Sequence, residues 1–208
     1  MNSAEKALWS HIAARDYASA KDVLIKSTVN VNWANKEHQE NTLLHLAVQE
    51  DADEITKLLL VHPGLDVHKG NSTGRTAFLS ACYLGKVAAV RHFLKLGWLN
   101  VNQCERDGST ALWDACYNGH LAVVEWLIAA REDLDLEKTG DPGTDDHQEY
   151  KPLEIAKMNG KRDVVDLMIK IMSDPVTTRQ MLRMKLGIRE QGNSPHPPPP
   201  LQPPLSVA

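Results

Sequence analysis

Three short stretches, Thr42-Leu-Leu-His-Leu-Ala47, Thr76-Ala-Phe-Leu-Ser-Ala81 and Thr110-Ala-Leu-Trp-Asp-Ala115, repeat one pattern at intervals of 34 residues. No other feature constrains the chain as strongly. A fixed period of this length marks a stack of supersecondary units, each with an apolar face too small to bury alone. Ordering a unit costs about 1–2 kcal/mol per backbone residue, and only apolar surface shared with neighbouring units offsets that.

Each unit reads as two helices. In the copy near 37–70, Thr42 opens the first helix, where its hydroxyl accepts from an unpaired backbone N–H. Leu44 and Ala47 face inward, and a second helix near Asp53–Val61 carries Ile55, Leu58, Leu59 and Leu60. His62-Pro63-Gly64 stops it, because proline cannot continue a helix and glycine suits a left-handed cap. The copy near 71–104 turns between its helices at Gly85, and the copy near 105–137 at Gly119. Asp51 stands where those glycines stand and is expected to take the left-handed conformation. Leu44, Phe78, Leu112 and Leu153 should line one layer, and Leu59, Phe93, Leu127 and Met168 the other.

The ends depart from the pattern. Residues 4–34 keep helical spacing at Leu8, Trp9, Ile12, Ala13 and at Ala20, Val23, Leu24, Ile25 but lack the threonine, as suits a terminal cap. At the other end Lys151 replaces the threonine and lies 41 residues after Thr110; the extra residues fall in the loop Glu137–Glu149. Asp174-Pro175 then resembles a helix start. The segment beyond it alternates Met181, Leu182, Met184, Leu186 and Ile188 with Arg179, Arg183, Lys185 and Arg189.

The threonine-initiated hexapeptide and the Asp107-Gly-Ser-Thr-Ala-Leu112…Asn118-Gly-His-Leu-Ala-Val-Val124 run resemble the ankyrin-repeat family. The resemblance implies an all-α solenoid of about five stacked helix-turn-helix repeats; the pattern after Asp174-Pro175 adds an extra C-terminal helix, and the low-complexity Pro-rich end reads as a disordered tail. The corresponding domains are 1–172 for the repeats (4–36, 37–70, 71–104, 105–147 and 148–172), 173–190 for the basic amphipathic helix and 191–208 for the tail.

Composition excludes several functions. A formal net charge of −4 offers no basic footprint for nucleic acid, and no apolar run is long enough to span a membrane. Met1-Asn-Ser-Ala-Glu-Lys6 lacks the basic start and apolar core of a secretory signal, so a cytoplasmic or nuclear location is expected. Cys82 and Cys116 occupy equivalent points of successive repeats, too far apart for a disulfide, and Cys104 has no partner at zinc-ligand spacing.

Gly70-Asn-Ser-Thr-Gly-Arg-Thr76 differs from a phosphate loop in spacing and in having Arg for Lys. The acidic loop Asp141–Glu149 lacks the ligand spacing of a calcium site and reads as a solvated insertion. His45 takes a position that is structural in ankyrin repeats, and Leu79, Trp113 and Glu154 stand there in the other repeats, so no catalytic array forms. No cofactor, metal or enzymatic activity is expected. Asn32 and Asn102 match positions that are hydroxylated in some ankyrin proteins, though such asparagines ordinarily hold their loops.

The resemblance places function on hairpin tips and the outward side of each first helix, the concave face of the stack. Binding energy concentrates in Trp, Tyr and Arg. The candidate partner-binding residues are therefore Arg75, Tyr83, Arg106, Trp113 and Tyr117, with Gln49, Glu50, Leu84, Asp107 and Asn118 beside them. Packing competes with binding at Trp113, Tyr83 and Tyr117. The expected function is a monomeric, non-enzymatic adaptor that holds another protein. The alternative is recruitment of a partner protein or anionic surface through the basic helix and Pro-rich tail, with the repeats as scaffold.

Overall fold

The structure, a computed structural model, describes residues 3–143 and 148–188; the Pro-rich segment 191–208 lies outside the described residues. Ten helices form five antiparallel pairs. They are α1 (Ser3–Ala13) with α2 (Tyr17–Lys26), α3 (Leu43–Gln49) with α4 (Asp53–Leu60), and α5 (Ala77–Tyr83) with α6 (Val87–Leu94). Then come α7 (Ala111–Asn118) with α8 (Leu121–Ala130), and α9 (Pro152–Met158) with α10 (Arg162–Ser173). The first helices pack in series, α1 on α3, α3 on α5, α5 on α7 and α7 on α9; the second helices do the same beside them.

Local chemistry explains where these helices begin. The side chains of Thr42, Thr76 and Thr110 accept from the backbone N–H three residues on, at His45, Leu79 and Trp113. That pairs a donor the helix itself leaves free. Gly85 and Gly119 have φ of 69° and 79°, and Asp51 takes the same left-handed turn at 54°. The interior is one continuous layer pair: Leu44, Phe78, Leu112, Leu59, Phe93, Leu127 and Met168 are all buried. Leu153 is only partly buried, because no further repeat covers it.

Between repeats, hairpins project on one side. The strands β1 (Ala34–Asn35) and β2 (Asn41–Thr42) pair antiparallel, and single bridges at Cys104–Thr110 and Gly140–Tyr150 take that place in later repeats. Asparagines hold successive loops together. The Asn32 side chain donates to the Gly64 carbonyl and accepts from the Asp66 N–H; Asn102 does the same with Asp133 and Asp135. Both asparagine side chains thus act as loop clamps.

The helix α11 (Pro175–Leu186) is capped by Asp174 and turns back over the second layer, packing along α8 and α10. Leu182 and Thr178 are buried there. The Arg183 side chain donates to the Ala129 carbonyl at 2.9 Å and to Glu132 at 3.0 Å, and Lys185 donates to Glu125 at 2.6 Å. Two of the basic residues that could have faced an anionic surface are thus spent on the repeats.

His45 is fully buried. Its Nδ1 accepts from the Thr42 N–H at 3.2 Å, which leaves the proton on Nε2, 2.8 Å from the Arg75 carbonyl it donates to. Burial holds this imidazole down at about 4 instead of the usual 6.5. The folded form stays neutral where the unfolded form takes a proton. Stability is therefore present above pH 6.5 and lost as the pH falls toward 4, by roughly 3 kcal/mol in full. Urea unfolding across that range should give a steeper pH dependence for the natural chain than for His45→Gln; parallel curves would refute this.

Candidate functional site

Five of the predicted residues meet at one place, where the hairpin of the fourth repeat overhangs α5 and α7. Arg75 precedes the Thr76 cap of α5, and the buried His45 grips its carbonyl from the repeat before. Its guanidinium lies over the Tyr83 ring, 4.4 Å from the centroid, at the other end of α5. It also reaches into the next repeat, pairing with Glu105 at 2.5 Å and Asp114 at 3.3 Å. Tyr117, one turn beyond Trp113 on α7, stacks on it with ring centroids 5.2 Å apart and planes 18° apart. Asp107 sits at the hairpin tip, where its carboxylate accepts from the Ser109 N–H.

These groups surround an open pocket of about 210 Å³. The insertion supplies its outer wall, Asp141-Pro142-Gly143, tied down by the Asp141 N–H donating to the Asp107 carbonyl at 3.0 Å. The described part of the loop is a solvent-facing insertion whose first residues also wall the pocket, while residues 144–147 lie outside the described residues.

Packing, one of the two readings open at this position, describes Trp113. It is 3% exposed, and its indole N–H donates 2.8 Å to the Tyr150 carbonyl. Tyr150 directly precedes the Lys151 cap, as Arg75 precedes the Thr76 cap. The indole therefore does in the fourth repeat what the His45 imidazole does in the second: it ties a first helix to the start of the next. Trp113 is a wall and a support for Tyr117, with little surface left for a partner.

The other predicted residues spread out. Arg106 and Leu84 are exposed, and the Asn118 side-chain amide is turned back onto the Asp114 carbonyl. Gln49 is exposed at the end of α3. Glu50 beside it is bound to Arg15 at 3.0 Å, and its carbonyl accepts from the Tyr17 hydroxyl, so it serves the first repeat. The pocket does not include these five residues.

Sequence reasoning passed over Glu105 and Asp114, the two buried acids that pair with Arg75. Asp114 had a readable signal: it is a charge at a core register where Leu46 and Ser80 stand in the preceding repeats. Burial pushes the Asp114 carboxyl well above the usual range; Arg75 opposes this, and Glu105 and Asp107 add to it. Burial raises Glu105 as well, again against Arg75. Both acids share one guanidinium, which offsets part of that rise. Burial, with Asp114 nearby, also raises the Cys82 thiol, and burial alone raises that of Cys116. Neither thiol is activated as a nucleophile. Among the described residues, no group of three or more His, Cys, Asp or Glu is placed to hold a metal ion.

A family model described as ankyrin repeats (3 copies) matches residues 44–139 and 99–179. The chain belongs to the ankyrin-repeat family. Ankyrin repeats are generally protein–protein interaction modules and typically lack enzymatic activity. No curated protein matches the chain. Among its described residues, no helix is long and apolar enough to cross a membrane.

Proposed function

We propose that this ankyrin chain is a non-enzymatic adaptor that holds a partner protein against the face where its hairpins overhang the first helices, centred on the third and fourth repeats. The pocket between Tyr83, Tyr117 and Asp107 carries this reading. It brings aromatic and charged groups, the types in which binding energy concentrates, to one accessible hollow of about 210 Å³. Small-molecule sites usually enclose about 300–1,000 Å³. The hollow suits a side chain of a larger partner better than a whole metabolite. Recruitment through α11 has less support, because Arg183 and Lys185 are already bound to Glu132 and Glu125.

Affinity capture from native extract tests the reading. Proteins retained by the natural chain should be lost, by at least about tenfold, on Tyr83→Ala combined with Arg106→Ala. They should persist on a chain ending at Ile188, which keeps α11 but drops the Pro-rich segment. Retention by the first variant and loss on the second would move recognition to the tail.

A further inference from the structure

The pocket carries more charge on its acidic side than its own cation balances. Among the described residues Arg75 is the one basic side chain lining it, against Asp107 and Asp141 at the rim and Asp114 beneath, with Glu105 behind Arg75. The guanidinium of Arg75 is committed: it is stacked on Tyr83 and paired with Glu105 and Asp114. A second, independent observation points inward as well. Ser109 lines the pocket and is 1% exposed, yet its hydroxyl has no hydrogen-bond partner among the described residues. Buried hydroxyls are rarely left so.

Resting on the reading that a partner protein binds this face, we infer that the pocket takes the side chain of one arginine of that partner. Aromatic walls and carboxylates together recognise a cation. A planar guanidinium stacks on rings and offers several N–H donors at fixed angles, where a lysine offers a compact, strongly hydrated charge. The carboxylate of Asp107 at the rim is the acceptor for those donors, with the buried Asp114 beneath it. The wall Asp141-Pro142-Gly143 then acts as a stop that limits the hollow to one side chain.

The test uses the full chain and the peptide Ac-Ala-Ala-Arg-Ala-Ala-NH2, with citrulline and lysine counterparts, followed by NMR at the Trp113 indole N–H and the Ser109 amide. Citrulline keeps the shape of arginine and removes its charge. The arginine peptide should bind at least about tenfold more tightly than the citrulline peptide, the scale of one charge-assisted contact. It should also bind more tightly than the lysine peptide. Asp107→Asn, which keeps an acceptor for the Ser109 N–H, and Tyr117→Leu should each abolish the preference in a chain whose remaining spectrum shows it folded. Lys21→Ala, exposed on α2 and outside the pocket, should leave it intact. Equal response to arginine and citrulline, equal response to arginine and lysine, or no response at all would overturn the inference. If extract partners still depended on Tyr83 and Arg106 in that case, the binding face would stand and the arginine would fall.

Discussion

Phe93→Ala is expected to lower the free energy of unfolding by about 3–5 kcal/mol, among the largest losses a single substitution in this chain can cause. Phe93 is fully buried in α6, with its ring centroid 5.5 Å from that of Phe78 in α5. The helix α6 also packs on α4 before it and α8 after it. A void there removes the Phe78 contact and weakens a helix that meets the repeats on both sides. Stability in a stack is close to a sum of repeat terms and nearest-neighbour interfaces, so weakening a central interface should loosen the units on both sides. Hydrogen exchange should show lost protection in α4 and α8 as well as α6, alongside a lower urea midpoint. Loosening confined to α6 would contradict a shared interior.

Arg75→Ala should cost a comparable amount, about 3–5 kcal/mol at neutral pH, although Arg75 lies at the surface end of the stack. The substitution leaves Glu105 and Asp114, which are 5% and 1% exposed at their side chains, without their cation. Both carboxyls are already raised by burial, and losing Arg75 removes the influence that holds them down. A carboxyl whose folded value lies above its unfolded value binds more protons when folded. Its penalty is therefore smallest at low pH and grows as the pH rises through the interval between the two values. Urea unfolding should find the variant closest to the natural chain in acid and furthest from it above neutrality. Arg75→Ala with Asp114→Asn should recover part of the loss. A difference below about 0.5 kcal/mol, constant with pH, would mean the cluster is not energetically coupled.

The same arginine would then serve stability and recognition. It joins the third repeat to the fourth through Asp114 and holds Tyr83 in place by stacking, so the pocket wall and the repeat interface share one side chain. The His45 imidazole sets the backbone from which that side chain departs. A partner entering the pocket would meet a surface ordered before it arrives, which limits the entropy lost on binding.

Much of this architecture was legible in the residues alone, for reasons that are local. The recurring threonine caps a helix three residues from its own position, and a left-handed turn needs glycine or a tolerant residue such as Asp51. Apolar spacing fixes which faces meet, so the two buried layers could be written down residue by residue. Arg75, Tyr83 and Tyr117 could be picked from residue type and repeat position.

What only the tertiary structure decided are the partnerships that cross from one repeat to the next. Nothing near Trp113 in sequence says that its indole will find the Tyr150 carbonyl across the insertion and so replace a histidine. Nor does Glu105, in a loop, announce that it will share Arg75 with Asp114. The loop 141–143 becomes a pocket wall because Asp141 is tied to Asp107 in the preceding hairpin. A repeat pattern specifies each unit and the fact of stacking; the chemistry of the groove depends on side chains about 30 to 40 residues apart, which stacking alone brings within hydrogen-bond reach.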